Sequence, residues 1–203
     1  MAARGRPRAF DRDEALDKAM RVFWRRGYEG TSLTDLTTAM GIASPSLYAA
    51  FGGKEALFHE AVERYREQYG QPWRDAPTAF EEVGDWLRTS ARRFVDDSRP
   101  RGCMVVLSGI NCTDQNQPVR DYLAGKRREN LDLLRARLER GVEDGDIPEN
   151  TDLAAMVRFY GTVLHGLSIQ ALDGATEAEL ISVVENAMSC WSRFTDEEGV
   201  ASA

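Results

Sequence analysis

The stretch TSLTDLTTAMGIASPSLYAAF, residues 31–51, carries the start and stop signals of two short helices joined by a tight turn. Ser32, followed three residues later by Asp35, predicts a capping box at the start of the first helix. Gly41 predicts the end of that helix. Ser44 as the cap and Pro45 at the first helical position predict where the second helix begins, because proline tolerates a missing N–H there.

A third helix is predicted immediately before this pair. Leu16, Met20 and Phe23 recur at three- and four-residue spacing, and Gly27 ends the run. Three helices within 51 residues form a helix-turn-helix arrangement, in which the third helix enters the major groove of DNA. Leu47 and Phe51 are expected to anchor that helix in the core. Taken alone the motif is a weak signal, since many helical bundles contain one.

Charge is distributed unevenly along the chain. Residues 1–54 carry nine lysines and arginines against six acidic residues, a balance of +3, although the 203-residue chain has a net charge of −7. The remainder therefore carries −10. A basic end on an acidic body indicates that one end of the molecule contacts a polyanion. Within that end, Arg4, Arg6 and Arg8 alternate with small residues and predict a flexible arm that lies in the minor groove or along phosphates.

The rest of the chain is also predicted to be helical, which makes the fold all-α with about nine helices. Apolar residues at helical spacing predict helices over residues 80–94, about 118–145, about 153–172 and about 176–194. Residues 103–112, CMVVLSGINC, fit a strand or a helix, and we choose a helix because the neighbouring segments are helical. The expected divisions are a flexible basic arm at 1–9, a helix-turn-helix domain at 10–55, a connecting helix at 56–76, a ligand-binding and dimerisation domain at 77–196 and a disordered tail at 197–203.

Several classes of protein fit the sequence poorly. No apolar stretch approaches the roughly 18 residues that span a bilayer, and the basic N-terminus is not followed by a signal-peptide core, so we expect a cytoplasmic protein. The three cysteines are widely spaced without a CxxC pair, so we expect no metal site, no disulfide framework and no cofactor. His59 and His165 lie on different segments, and no catalytic constellation accompanies them, which argues against an enzyme.

Residues 10–58 resemble the DNA-binding domain of the TetR family of bacterial transcriptional regulators. The resemblance rests on Phe23-Trp24, Gly27-Tyr28, Gly30-Thr31-Ser32, Gly41-Ile42, Leu47-Tyr48, Phe51 and Lys54-Glu55-Ala56-Leu57. It implies a homodimeric, ligand-responsive regulator, with a repressor as the expected form, that binds a palindromic operator and is released by a small-molecule effector. Carried over by position, the DNA contacts are Thr31, Ser32, Ser44, Pro45, Ser46, Tyr48, Ala49 and Lys54, supplemented by the arm. Ala49 and Ala50 are smaller than the residues often found there, so readout through thymine methyls or DNA shape is expected.

A fainter resemblance extends into the second half, through RGCMVVLSGINC and FYGTVLHGLSIQALDGAT. It implies that the last two helices form a four-helix bundle across the dimer, although they could instead complete the core of one chain. The candidate dimer residues are Gly161, Leu164, Val184, Met188 and Trp191. The candidate ligand-binding residues are Trp86, Cys103, Met104, Leu107, Asn111, Tyr122, Phe159, Tyr160 and His165, any of which could instead be an ordinary core residue.

Two alternatives remain open. One is an enzyme on a helical scaffold, and the other is an architectural DNA binder that works through RGRPR, residues 4–8, alone. Deleting residues 1–9 separates the second from a helix-turn-helix protein, which should keep its site with reduced affinity. The sequence leaves open the effector, the operator, the choice between repression and activation, and whether Cys103 senses oxidants or electrophiles.

Overall fold

The computed structural model describes residues 10–70 and 76–196, and in these ranges the fold is all-α, as predicted. The arm at 1–9, the tail at 197–203 and the expected boundary at Pro72 lie outside the described residues. The described part holds ten α-helices and a 3-10 turn, and α6 and α10 are single turns. The elements are α1 Arg12–Arg26, α2 Leu33–Met40, α3 Ser44–Phe51, α4 Lys54–Tyr69, α5 Ala79–Phe94, α6 Met104–Leu107, the 3-10 turn Asp114–Asn116, α7 Gln117–Glu143, α8 Leu153–Leu172, α9 Glu177–Ser189 and α10 Ser192–Thr195.

Local signals explain most helix ends. Asp11 caps α1 by accepting bonds from the backbone N–H groups of the next turn, and Gly27 ends the helix with φ 68°. The predicted capping box of α2 is confirmed: Ser32 accepts a bond from the Asp35 N–H, and the Asp35 side chain accepts one from the Ser32 N–H. Residues 103–112 contain the short helix α6 and no strand. None of the described helices is long and apolar enough to span a membrane.

Two predicted helix boundaries differ from the structure: the start of α3 and the extent of the connecting helix. Ser44 is the first residue of α3 rather than its N-cap. Ala43 is the N-cap residue, and its side chain makes no capping hydrogen bond. The first N–H groups of a helix have no partner within its regular bonding pattern, and Pro45 removes one of them because it has no N–H. The N–H groups of Ser46 and Leu47 both bond to the Ala43 carbonyl, at 2.9 and 3.2 Å. The helix that joins the two halves spans Lys54–Tyr69 rather than 56–76.

The last predicted helix is divided in two. α9 ends at Ser189, where the N–H groups of Cys190 and Trp191 bond to carbonyls three residues back, and α10 follows. The Trp191 ring packs into the core, 5.5 Å from the ring centroids of Phe80 and Tyr160. The tighter turn therefore coincides with the residue that the core has to bury.

Two hydrophobic clusters hold the molecule together. We call α1–α4 the head and α5–α10 the body. The first cluster fills the head but also contains Met104, Val105, Val119 and Leu123 of the body. The second lies between α5, α7, α8 and α9. Because α6 and the start of α7 are buried against the head, the head and the body share a core at their junction. A displacement of one part therefore displaces side chains of the other.

Candidate nucleic-acid interface and interior cavity

The short helix α3 buries one face and exposes the other. Leu47 is fully buried and Phe51 is 4% exposed, as predicted, whereas Tyr48 is 51% exposed. Ser44, Pro45 and Ala49 are exposed, and Ser46 is half-buried. The small and hydroxyl-bearing residues of the predicted recognition helix therefore face solvent, where a DNA groove can reach them.

Arg12, which the sequence did not single out, clamps the end of α3. Its Nη2 donates to the two carboxylate oxygens of Glu60 at 2.8 and 2.6 Å and to the Ala50 carbonyl at 3.3 Å. Its guanidinium also lies 4.4 Å from the centroid of the Phe51 ring. These partners lie 38 or more residues away along the chain, so no local pattern could identify them. Arg12 thus orients α3 relative to α1 and α4.

At the start of α2, the resemblance implied that Thr31 and Ser32 contact DNA, and the structure differs for Thr31. Thr31 is 1% exposed, and its hydroxyl donates to the Gly27 carbonyl at 2.7 Å, so its side chain closes the turn after α1 and is not accessible to DNA. Ser32 is exposed, but its hydroxyl bonds to Asp35. Bonds from Ser32, with a further contribution from Arg26, lower the pKa of Asp35 to about 2. The start of α2 is therefore rigid, with both hydroxyls already engaged.

Lys54 is half-buried at the first position of α4. Its Nζ lies 4.1 Å from the centroid of the Tyr28 ring, and burial lowers its pKa. The neighbouring turn passes close to Tyr48, whose Cε1 atom is 3.7 Å from the position a Cβ would take on Gly53. The cation is thus held beside the recognition helix, at a helix start whose N–H groups also favour an anion.

The turn between α1 and α2 is bonded directly to the body. Glu29 Oε1 accepts bonds from Asn116 Nδ2 at 2.8 Å and from Thr113 N and Oγ1, both at 2.7 Å. These bonds, that from Asn116 most strongly, lower the pKa of Glu29 to about 2. Trp24 Nε1 adds a bond to the Gly102 carbonyl at 3.1 Å. A displacement of residues 102–116 would therefore move the turn that leads into α2.

A cavity of about 470 Å³ lies between α4 of the head and α5, α7 and α8 of the body. Its volume falls in the range of small-molecule sites. Aromatic side chains from α4 and α5 form much of its wall: Tyr65, Tyr69, Trp86 and Phe94. The sequence places both tyrosines on one side of a helix, but the spacing could not indicate which helices would cover that side.

Two of the nine candidate ligand residues, Trp86 and Cys103, line this cavity. Leu107 and Asn111 line a separate cavity of about 210 Å³ beside the turn after α1. Met104 is fully buried in the cluster shared with the head. The one-dimensional pattern could not separate these residues, because α6 is short and its sides face different neighbours.

The remaining four candidates do not line either cavity. Tyr122 stacks on His59 with 4.0 Å between ring centroids and donates its hydroxyl to Glu63 at 2.6 Å. Phe159 and Tyr160 pack against Phe194 in the aromatic part of the body core. His165 is half-buried, and burial, assisted by the charge of Arg127, lowers its pKa. The structure therefore does not bring these four residues to the walls of the two cavities.

Cys103 lies where the head, the body and the cavity meet. Burial raises the pKa of its thiol, so the neutral form dominates at neutral pH. The two basic residues nearest in sequence are engaged elsewhere: Arg99 pairs with Asp96, and Arg101 lies 3.3 Å from Asp97. Within residues 10–70 and 76–196, no group of three or more histidine, cysteine or acidic side chains is placed to hold a metal ion.

The candidate dimer residues lie inside the core of a single chain. Leu164, Val184, Met188 and Trp191 are each no more than 8% exposed. A Cβ on Gly161 would lie 2.4 Å from Leu131, so this glycine permits the close approach of α7 within the chain. These side chains are therefore not a surface. The large apolar side chains that these two helices expose are Ile169, Leu172 and Val183.

Known proteins resemble both the head and the body. A family model described as bacterial regulatory proteins of the tetR family matches residues 15–61, and one described as the tetracyclin repressor-like C-terminal domain matches residues 83–188. The HTH-type transcriptional repressor ComR of Escherichia coli strain K12 is 31% identical over 194 residues, which is 93% of this chain and 92% of ComR. BdcR, a repressor of the same strain, is 30% identical over 183 residues, 87% of this chain and 86% of BdcR.

A solved structure is similar over most of this chain. It is a cysteine-substituted variant of the TetR family regulator CifR in complex with 26-bp double-strand operator DNA. The sequences are 51% identical, the match covers 92% of this chain and all of the other, and the TM-score is 0.89. The helix-turn-helix head with its exposed α3 fits the fold that the two family models describe. The chain belongs to the TetR family of DNA-binding transcriptional regulators.

Proposed function

We propose that this protein is a repressor that binds a palindromic operator as a homodimer and is released when a small molecule occupies the 470 Å³ cavity. The observation that carries the proposal is the double role of α4. The helix begins at Lys54 beside the recognition helix and ends at Tyr69 in the cavity wall. One rigid element thus touches both sites.

The DNA contacts we propose come from the exposed face of α3 and from Lys54. Tyr48 supplies the largest exposed side chain, and Ser44, Pro45, Ser46 and Ala49 surround it with small groups. Small side chains let the helix approach base edges closely, and a tyrosine hydroxyl can donate to a phosphate. Arg4, Arg6 and Arg8 would add minor-groove or phosphate contacts beside each head. Their deletion should reduce affinity and leave the site unchanged.

The proposed dimer uses the exposed side of α8 and α9. Ile169, Leu172 and Val183 are between 41% and 55% exposed, a large exposure for apolar side chains on two adjacent helices. Gly166 of α8 has open space where a Cβ would stand. A helix of a second chain could therefore approach closely there. A two-fold arrangement of this face would place two heads on successive half-sites of a palindrome.

Release requires that the effector bind one arrangement of the two heads better than the other. Two connections can carry the change: α4 joins the cavity to α3, and Glu29 joins residues 113–116 to the turn before α2. A ligand that separates α4 from α5 would alter the spacing of the heads. We propose that the ligand binds reversibly. Burial raises the pKa of the Cys103 thiol in the cavity wall, which favours its neutral form.

The test is operator binding by Tyr48→Ala, after selection of a bound sequence from a random DNA library. The variant should lose measurable operator binding and remain a dimer in analytical ultracentrifugation, because Tyr48 is exposed and supports no core contact. Tyr48→Phe, which removes only the hydroxyl, is the matched control and should keep a part of the affinity. Unchanged affinity of Tyr48→Ala would show that α3 is not the reading element.

A further inference from the structure

Arg93 differs from the other arginines of its helix. Arg88 Nε lies 2.7 Å from a carboxylate oxygen of Glu185, and Arg92 Nε lies 3.3 Å from Glu177. Arg93 instead turns toward the cavity, and no carboxylate of the described residues lies within ion-pair distance of it. A partly buried guanidinium facing a cavity without a counter-charge is an unusual arrangement, because desolvated charges are normally paired.

The guanidinium of Arg93 has hydrogen-bond donors that bond to no described residue. It carries five N–H donors in a planar fork, and the structure gives it one bond, from Nη1 to the Tyr69 carbonyl at 3.0 Å. That carbonyl is at the C-terminal end of α4, where helix carbonyls lack partners within the helix. The fork is thus oriented at the cavity wall, with donors left for an acceptor of matching planar geometry, such as a carboxylate.

The rest of the cavity restricts what such a ligand can be. Tyr65, Trp86 and Phe94 give it an aromatic wall. Glu63, also in the lining, is neutralised by Lys126 at 2.9 Å and by Arg66 at 3.2 Å. The charges of Glu63, Lys126 and Arg66 are therefore paired without a ligand. Arg93 is left to determine which charge the ligand carries.

A second lining carboxylate limits the charge that the cavity accepts. Glu67 is exposed and has no ion pair with another described residue. It would repel an additional negative group near it. A ligand with one localised negative charge fits this balance better than a dianion.

We propose that the effector is a monocarboxylate with an aromatic or other apolar body, whose carboxylate binds Arg93 and whose body packs on Tyr65, Trp86 and Phe94. This inference rests on the proposed function and names the chemical class of its ligand. It also explains how the bound ligand would affect DNA binding. A carboxylate bound to the free donors of Arg93 would reorient the guanidinium, whose remaining bond to the Tyr69 carbonyl ties α5 to the end of α4.

The test compares carboxylates with their uncharged isosteres. Phenylacetate and 4-phenylbutyrate, with the corresponding primary amides, are titrated into the full-length dimer, and binding is followed by isothermal calorimetry. At least one carboxylate should bind about tenfold or more tightly than its amide, the ratio expected of a hydrogen-bonded ion pair. Arg93→Gln should abolish that preference, and Arg93→Lys should retain part of it. Arg92→Gln, on the same helix but paired with Glu177, is the matched control and should retain it in full.

Three results would overturn the inference: equal affinity for carboxylate and amide, a preference that survives in Arg93→Gln, or no binding of either carboxylate at millimolar concentration. Loss of the Tyr69 bond could weaken the fold of Arg93→Gln, so its thermal unfolding is measured, and Arg93→Lys serves as the folded counterpart. Operator binding without any probe is measured in the same variants. Failure of the wild type to bind any selected DNA rejects the proposed function, whereas normal DNA binding without a carboxylate preference rejects only the ligand class.

Discussion

Replacing Glu82 by glutamine should destabilise the body strongly, because it breaks a buried ion pair. Glu82 of α5 and Arg137 of α7 form an ion pair with side chains 2% and 4% exposed. Arg140 Nη2 lies 3.1 Å from the same carboxylate oxygen, and Arg137 Nη2 lies 4.0 Å from Asp146. The pair joins two of the helices that line the cavity, so its loss also bears on the proposed ligand site.

The expected magnitude follows from burial. Glu82→Gln leaves the Arg137 guanidinium buried with its nearest described carboxylate 4.0 Å away, and removal of one partner of a buried pair costs about 3–5 kcal/mol. The double variant Glu82→Met/Arg137→Met removes both buried charges and should recover most of that loss. The two charged neighbours tolerate the change, because the Arg140 side chain is 46% exposed and Asp146 keeps its bond from the Ala79 N–H. Glu185→Gln is the matched control. It breaks the pair with Arg88, in which the two side chains are 51% and 27% exposed, and should cost at most about 1 kcal/mol.

The assay is urea unfolding followed by circular dichroism. All variants are compared at one protomer concentration, because the apparent stability of a dimer depends on it. If Glu82→Gln costs no more than Glu185→Gln, the buried pair does not hold α5 to α7. If the double variant is as unstable as the single one, the loss comes from packing rather than from an unpaired charge.

Three further predictions concern the DNA contacts, the junction and the thiol. Lys54→Met should make the slope of log operator affinity against log salt shallower by about 1.8 for the dimer, because each phosphate that a lysine neutralises contributes about 0.9; Lys18→Met on α1 is the control, and an unchanged slope removes Lys54 from the contact set. In NMR, the amide proton of Thr113 should titrate with the Glu29 carboxylate near pH 2, because its pKa lies at about 2 instead of the usual 4.5. The junction bond is thus fully present above pH 4.5 and is lost as the pH falls toward 2, and a midpoint near 4.5 contradicts the bond. At neutral pH, Cys103 should react with iodoacetamide more slowly than free cysteine, because burial raises the pKa of its thiol. The labelling that is lost in Cys103→Ser is the labelling of Cys103 itself. A reaction faster than that of free cysteine contradicts a neutral thiol.

The helices themselves were largely predictable because their signals are local. The capping box of Ser32 and Asp35, the stop at Gly41 and the periodic runs of α5, α7 and α8 each depend on residues within a few positions of one another. The division between α9 and α10 was not predicted, since it reflects where Trp191 packs rather than the sequence around it. The resemblance to the TetR family was likewise carried by contiguous residues, and the family matches confirm it.

The individual site residues were harder to predict because exposure is a property of the assembled chain. Thr31 and Ser32 are neighbours of similar chemistry, yet the first is buried against Gly27 and the second is exposed. On α8 and α9, residues such as Val184 lie in the core while Val183 faces out. In a helix that is apolar on several sides, periodicity does not say which side meets solvent.

By itself, the sequence determined the all-α architecture, the recognition helix with Leu47 and Phe51 inside, and the family, because each depends on short-range spacing. Only the tertiary structure decided that Arg12 orients α3, that Glu29 joins the head to the body, and that Arg93 faces a cavity beside α4. Those contacts join residues 24 to 87 positions apart. Their partners are brought together by the packing of whole helices, and that packing is set by the burial of the two hydrophobic clusters rather than by any local pattern.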